Sequence, residues 1–310
     1  MKSLKFQKII LPLSLILLSA CSQKEGAFFS AALGLGEPRI YVSGGGVASS
    51  TNPMVSVYSE TGAFLSFVAN YGASAEYPRG LAVLDPFNIL VAVEGTDRID
   101  VVSIFGQIST YASNANLSGN LFDIRRTSGG SLYIVESNTI ERFDGASRVP
   151  TSGNPYINTT IGSCVLSTPH GLTLLPNGNL VTVSSGNDTM VIYDVSGTTA
   201  SCVSSTALTN IDAWDIVYHP NGYLYFVTQL NDSLYRINTD GTGSTQLYQY
   251  PVNTTNPSAI AVLPNGNLIV GTQGTDAVDL FDPSGNLLQT SFIRDSLTVD
   301  VTDLLVVGGQ

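Results

Sequence analysis

Charge is scarce in this chain, and basic charge scarcest of all. Only 12% of its 310 residues are Asp, Glu, Lys or Arg, with 13 basic against 24 acidic side chains and a net charge of −11. An average soluble domain carries about 25% charged residues. The deficit of Lys and Arg excludes a nucleic-acid binder, which needs a basic footprint to displace phosphate counterions. Scarcity of Glu, Lys and Arg also excludes long helical bundles, whose exposed faces those residues fill. With 43% hydrophobic residues the chain is not disordered either. Histidine is limited to His170 and His219, too few for a multi-histidine zinc site. No nucleophile-elbow motif and no phosphate-binding glycine loop opening a helix is present. Polarity comes instead from Ser, Thr, Asn, Gly and Tyr, a vocabulary of strands and turns.

The one long apolar run, residues 9–18, is preceded by Lys2, Lys5 and Lys8. It is too short for a comfortable transmembrane helix of about 20 residues and fits a secretory signal. The residues that follow, Leu18-Ser19-Ala20-Cys21, resemble the lipobox of bacterial lipoproteins. That resemblance implies cleavage before Cys21, acylation of its sulfur and amine, and attachment to a membrane by several chains. Ser22 stands where an inner-membrane retention signal has Asp, so the implied destination is the outer membrane, on its periplasmic or surface face. Residues 1–20 are then the signal, 21–37 the lipidated Cys and a tether, and 38–310 the folded body. After cleavage only Lys24 remains among lysines, and the body has none. An anionic membrane repels such a surface, so lipid rather than charge does the anchoring.

The body is a repeat. GLTLLPNGNLVTV from Gly171, DIVYHPNGYLYFV from Asp215 and AIAVLPNGNLIVG from Ala259 share an apolar strand, a Pro-Asn-Gly turn and a second apolar strand. Degenerate copies start at Gly80 and Asp123. The first apolar residues of the inner strands are read as Leu81, Ile124, Leu172, Ile216, Ile260 and Val301, at intervals of 43, 48, 44, 44 and 41 residues. This period predicts four-stranded propeller blades. Glycines 62, 106, 145, 197, 241 and 285 mark the turns between third and fourth strands. One strand remains after residue 300 and three precede residue 71. The prediction is therefore an all-β, six-bladed β-propeller whose last blade is closed by strands from both termini. The PNGNL phrase and the V-x-x-x-G-x-D-x-hydrophobic-x-hydrophobic-D pattern from Pro264 to Asp282 resemble NHL repeats, and RIYVSGGG from Arg39 is similar to YVTN repeats. These families include binding scaffolds, lactonases and lyases, so the resemblance implies a fold rather than an activity.

In such a ring the loops entering the inner strands share one face, here the top, while the PNGN turns lie on the bottom. Just before the six inner strands stand Gly80, Asp123, Gly171, Asp215, Ala259 and Asp300. Asp123, Asp215 and Asp300 would lie about 120° apart around the channel mouth. They are candidate ligands for Ca²⁺ or Mg²⁺, or acceptors for backbone N–H groups at the strand starts. One position earlier come Arg79, Phe122, His170, Trp214, Ser258 and Val299. Arg79, His170 and Trp214 could read an anionic or carbohydrate-like ligand, while Phe122, Trp214 and Val299 could plug the channel. Asp97, Asp188, Asp232 and Asp276 recur before the third strands and read as turn caps. Cys164 and Cys202 are disulfide candidates in an oxidising compartment, provided the outer strands approach closely enough. The expected function is non-catalytic binding of a protein or surface glycan through the top face, with no required cofactor. The alternative is a metal-dependent hydrolase or lactonase resembling gluconolactonase-like propellers, whose inner-strand Glu and Asn this chain lacks.

Overall fold

The structure is a computed structural model that describes residues 36–45, 53–72, 76–113, 117, 119–151, 155–209, 211–251, 255–296 and 298–308. The signal, Cys21 and Lys24 lie outside them. The described chain is all β. Blade 1 has the order β25 (Asp303–Val307), β1 (Arg39–Gly44), β2 (Met54–Ser59), β3 (Phe64–Asn70). Blade 2 is β4 (Tyr77–Asp85), β5 (Asn88–Glu94), β6 (Arg98–Ser103) and β7 (Ile108–Ala112). Blade 3 is β8 (Leu121–Arg126), β9 (Leu132–Glu136) and β10 (Thr139–Phe143). After a short hairpin, β11 (Thr160–Ile161) and β12 (Cys164–Val165), blade 4 is β13 (Pro169–Leu174), β14 (Leu180–Ser184), β15 (Thr189–Asp194) and β16 (Ser201–Ala207). Blade 5 is β17 (Ala213–Tyr218), β18 (Tyr223–Thr228), β19 (Ser233–Asn238) and β20 (Thr245–Gln249). Blade 6 is β21 (Pro257–Val262), β22 (Leu268–Thr272), β23 (Ala277–Phe281) and β24 (Leu287–Ile293).

The inner strands β25, β4, β8, β13, β17 and β21 each touch the next, and the last touches the first. The six-bladed ring is therefore closed, and β25 pairs with β1 to lock the two ends of the body together. Apolar side chains from facing blades form the core. Leu90, Ile99 and Leu117 meet Leu121 and Ile134 between blades 2 and 3, and Ile40 and Tyr58 meet Ile269 and Val278 between blades 6 and 1. One blade departs from the expected four strands. Blade 3 has three, and its outer edge is met only by isolated bridges from Ile157 to Ile140 and from Pro150 to Phe143. The stretch after β10, with Arg148 at positive φ and Pro150, does not continue as a regular ladder strand.

The Pro-Asn-Gly turns form as their chemistry requires. The Gly178 N–H donates to the Leu175 carbonyl at 2.9 Å, and Gly178 takes a φ of 88° that suits glycine. Pro176 pre-sets the turn, and Gly178 supplies the left-handed residue of a three-residue hairpin. Gly222 and Gly266 repeat the geometry, at 90° and 84°. The hairpin β11–β12 carries Cys164 to β16, where it forms a disulfide with Cys202 across a Cα separation of 5.6 Å. Among the described residues no helix is long and apolar enough to cross a membrane.

Candidate functional site

Five of the six inner strands, all but β25, have the same irregularity where they leave the top-face loop. The pairing register shifts between Pro78 and Leu81, Leu121 and Ile124, Pro169 and Leu172, Ala213 and Asp215, and Pro257 and Ala259. Such bulges re-aim side chains away from the ladder. Here they turn the residues just before each regular stretch into the channel mouth, which is lined by Arg79, Phe122, Asp123, His170, Trp214, Asp215, Ser258, Thr302 and Asp303.

Three aspartates do gather there, but the third is Asp303 and not Asp300. Asp123 accepts the Ile124 N–H at 2.6 Å and the Leu172 N–H at 2.7 Å. Asp215 accepts from Ile216 at 2.7 Å and Ile260 at 2.8 Å. Asp303 accepts from Leu304 at 2.7 Å and from Leu81 at 2.6 Å. Each carboxylate thus clips its own blade to the start of the next, joining blades 1 to 2, 3 to 4 and 5 to 6. The small residues at the intervening positions leave room for this. A Cβ on Gly80 would lie 2.7 Å from the Asp123 Cα, and one on Gly171 would lie 2.6 Å from the Asp215 Cα. The alternation of small residue and Asp is therefore a three-fold arrangement of blade pairs.

Asp300 belongs to a different series, and the expected inner-strand start at Val301 shifts with it to Leu304. Thr168, Asp212, Asn256 and Asp300 all take positive φ in the loops that enter the inner strands. The N–H groups of Asp212, Asn256 and Asp300 donate to Asp188, Asp232 and Asp276 at 2.8, 2.9 and 2.8 Å. These three aspartates are the expected turn caps, and each caps the loop into the following blade. Asp97 shares their left-handed backbone. At the mouth, Thr302 takes the position assigned to Val299.

The centre of the ring is filled by Arg125. Its guanidinium donates to Asp123 at 2.5 Å and lies 3.7 Å from Asp303 and 4.0 Å from Asp215. It also donates to the Ile124 carbonyl at 2.9 Å. The carboxylate oxygens are thus shared between backbone amides and a guanidinium, and the set does not fit a divalent cation at Asp123, Asp215 and Asp300. Among the described residues no group of three or more His, Cys, Asp or Glu side chains could hold a metal ion. Burial first, and then mutual repulsion, pushes Asp215 up to about 7 despite Arg125. Asp123 and Asp303 are raised chiefly by burial as well. For Arg125, burial opposes the charge, but the three carboxylates together hold it above its ordinary value. Arg125 was legible in one way. It is the residue one past the inner-strand start, where the other copies carry Ala82, Thr173, Val217, Ala261 and Leu305.

Above the ring, His170 stacks on Trp214 with centroids 3.7 Å apart and meets Phe122 edge-on at 4.5 Å. His170 is buried, and desolvation, then the charge of Arg79, lowers its pKa to about 3. It is a neutral plug and not a charged reader of ligand. Arg79 is half-buried and paired with Glu94 at 2.5 Å. About 20 Å³ of free space remains at the mouth, room for roughly one water.

No family model matches the chain, and no curated protein matches it in sequence. Solved structures with similar folds do exist. A chain of a nidogen/laminin complex is 17% identical, with 89% of this chain and 100% of that chain covered and a TM-score of 0.65. Virginiamycin B lyase from Staphylococcus aureus is 18% identical over 71% of each chain, with a TM-score of 0.54. YCF48 bound to the D1 peptide is 14% identical over 83% of this chain and 78% of that one, with a TM-score of 0.51. The likeness is one of fold: this chain is a six-bladed β-propeller, and propellers serve both binding and catalysis.

Proposed function

We propose that the protein is a lipid-anchored propeller of the cell envelope that binds a protein or a surface glycan through its top face, without catalysis. The observation that carries this is the closed mouth. Arg125 satisfies the three carboxylates, Phe122, His170 and Trp214 cap them, and the space left is too small to enclose a substrate. What the top offers is a shallow surface with the edge of Trp214, the Arg79–Glu94 pair and Thr302, residue types suited to recognising a larger partner. The signal-like residues 1–20 and the lipobox resemblance at Cys21 support the envelope and the anchor. Similar folds in a nidogen/laminin complex and in YCF48 with its peptide show that such a ring supports protein recognition elsewhere. The hydrolase alternative needs a cation among the carboxylates, where a guanidinium already sits.

The test is capture of partners from envelope extracts and from a glycan panel by the immobilised protein. Trp214→Ala and Arg79→Ala should each weaken the same specific complex by about tenfold, as a recognition residue worth roughly 1.4 kcal/mol does. A bottom-face substitution, Asn265→Ser, should not. A complex retained equally by wild type and both top-face variants contradicts the proposal.

A further inference from the structure

Exposed apolar surface is concentrated at one corner of the ring. Among the described residues eleven large hydrophobic side chains are exposed, and six lie on the adjacent blades 1 and 2. Phe64, Leu65 and Phe67 occupy the first half of β3, the outer edge of blade 1, and Phe67 is 61% exposed. Phe87 tips the turn between β4 and β5, Phe105 the turn between β6 and β7 at 69% exposure, and Ile108 begins β7. The elements that carry them are joined. The Ile104 N–H donates to the Phe87 carbonyl at 2.9 Å, and a Cβ on Gly106 would lie 3.7 Å from the Val68 carbonyl oxygen. Phe87 stands where the other copies have Gly178, Gly222 and Gly266, so an aromatic ring replaces the turn glycine in this blade.

Five of the six side chains are at the bottom end of the ring, opposite the plugged mouth, because outer strands start there and the two turns belong to that face, while Phe67 lies midway along β3, next to the Val68 that the Gly106 turn approaches. The described chain also begins there. Glu37, Pro38 and Arg39 lead into β1 and line, with Ser59, Thr61 and Leu65, a groove of about 380 Å³. Residues 22–35 separate Cys21 from this point and span at most about 50 Å when fully extended. An acyl group on Cys21 would therefore tether the propeller through this end, on the side away from the mouth.

We infer that this corner is a membrane-docking face. Phe64, Leu65, Phe67, Phe87, Phe105 and Ile108 rest in the interfacial layer of the bilayer, and the channel mouth points away from it. The inference builds on the lipid-anchored reading above. Contiguous exposed apolar patches mark partner or membrane surfaces, and apolar side chains on a surface element enter the headgroup boundary when lipid is near. At the rim the acids Glu37 and Glu60 outnumber Arg39, which favours a neutral headgroup over an anionic one.

The test uses the mature full-length protein on phosphatidylcholine vesicles, with a nitroxide at Phe105→Cys or, at the opposite end, at Leu230→Cys. Docking predicts a several-fold higher ratio of oxygen to nickel-chelate accessibility at position 105 than at 230, and weaker binding when phosphatidylglycerol is added at low salt. Equal aqueous accessibility at both positions, with Cys21 acylated and the protein floating on vesicles, overturns docking while anchoring stands. A label at 105 shielded from both agents marks a protein partner and overturns it too. If mass spectrometry finds Cys21 unmodified, the anchoring reading fails by itself, and flotation then decides docking: vesicle binding lost in the Phe67→Ser, Phe105→Ser double variant supports it, and no binding by the unaltered protein overturns it.

Discussion

Arg125 and the three carboxylates around it set the chemistry of the ring at the scale of single residues. Removing one partner of a buried ionic set leaves the others uncompensated, which costs about 3 kcal/mol or more. Arg125→Met should therefore lower stability by about that amount at pH 8, measured by denaturant or thermal unfolding. The loss should shrink toward pH 5. Carboxyls whose folded pKa lies above the unfolded value bind more protons when folded, so their contribution is complete below the unfolded pKa and is lost as pH rises through the folded one. Glu141 in β10 is a second such group. Burial, then the charge of Glu136, pushes it up to about 7 from 4.5, and its Oε2 has no hydrogen-bond partner. Glu141→Gln should match wild type at pH 4 and exceed it by on the order of 2 kcal/mol at pH 8. His170 acts in the opposite sense. Its depressed pKa means that its contribution is present above 6.5 and lost as pH falls toward about 3. An unchanged pH profile in Glu141→Gln would remove the carboxyl from this account.

At the scale of elements, the inner-strand bulges and the alternating Asp and small residues belong together. In blades 3 and 5 the bulge aims a carboxylate at the next blade, and Gly80 and Gly171 give the Asp123 and Asp215 backbones room. Gly171→Ala and Gly80→Ala push a methyl group to within 2.6 and 2.7 Å of a neighbouring Cα, and should each cost about 1–3 kcal/mol in unfolding experiments. Tolerance equal to that of a surface glycine would contradict the clip arrangement. This alternation was legible in the sequence, as were the six blades, the closing strand and the positive-φ turn glycines 62, 106, 241 and 285, though not Gly145 and Gly197, because repetition exposes what backbone geometry demands of every copy. The details that escaped are those where one copy deviates. The last inner strand lacks the Pro-Asn-Gly turn that fixes register in blades 4 to 6, so the sequence pattern places its start three residues early and puts Asp300 where Asp303 stands. The interval from Ile260 to Leu304 is 44 residues, the same as the two before it, and carries the correct register. The irregular edge of blade 3 had no repeat to betray it. Arg125 needed the channel-facing parity of its position to be weighed against the uncharged residues of the other copies.

For the whole molecule, closure explains the composition. Strands from both ends complete blade 1, so the sheet has no open inner edge and needs no basic or helical surface to stabilise it. The scarcity of charge follows, since apolar side chains fill the spaces between blades and Ser, Thr, Asn and Gly populate the turns. Part of the charge that remains is internal, at Asp123, Asp215, Asp303 and Arg125. The two ends of the ring then differ in kind: a plugged, polar mouth on top and an apolar corner below, beside the point where the chain enters. The functional proposal turns on the first of these, on a ring closed by its own arginine. Thermal unfolding of the mature protein with and without Ca²⁺ or Mg²⁺ at millimolar concentration tests that most directly. The account predicts no change in Tm for wild type or for Asp215→Asn. A large cation-dependent rise in wild type that disappears in Asp215→Asn would contradict it and return the carboxylates to a metal site.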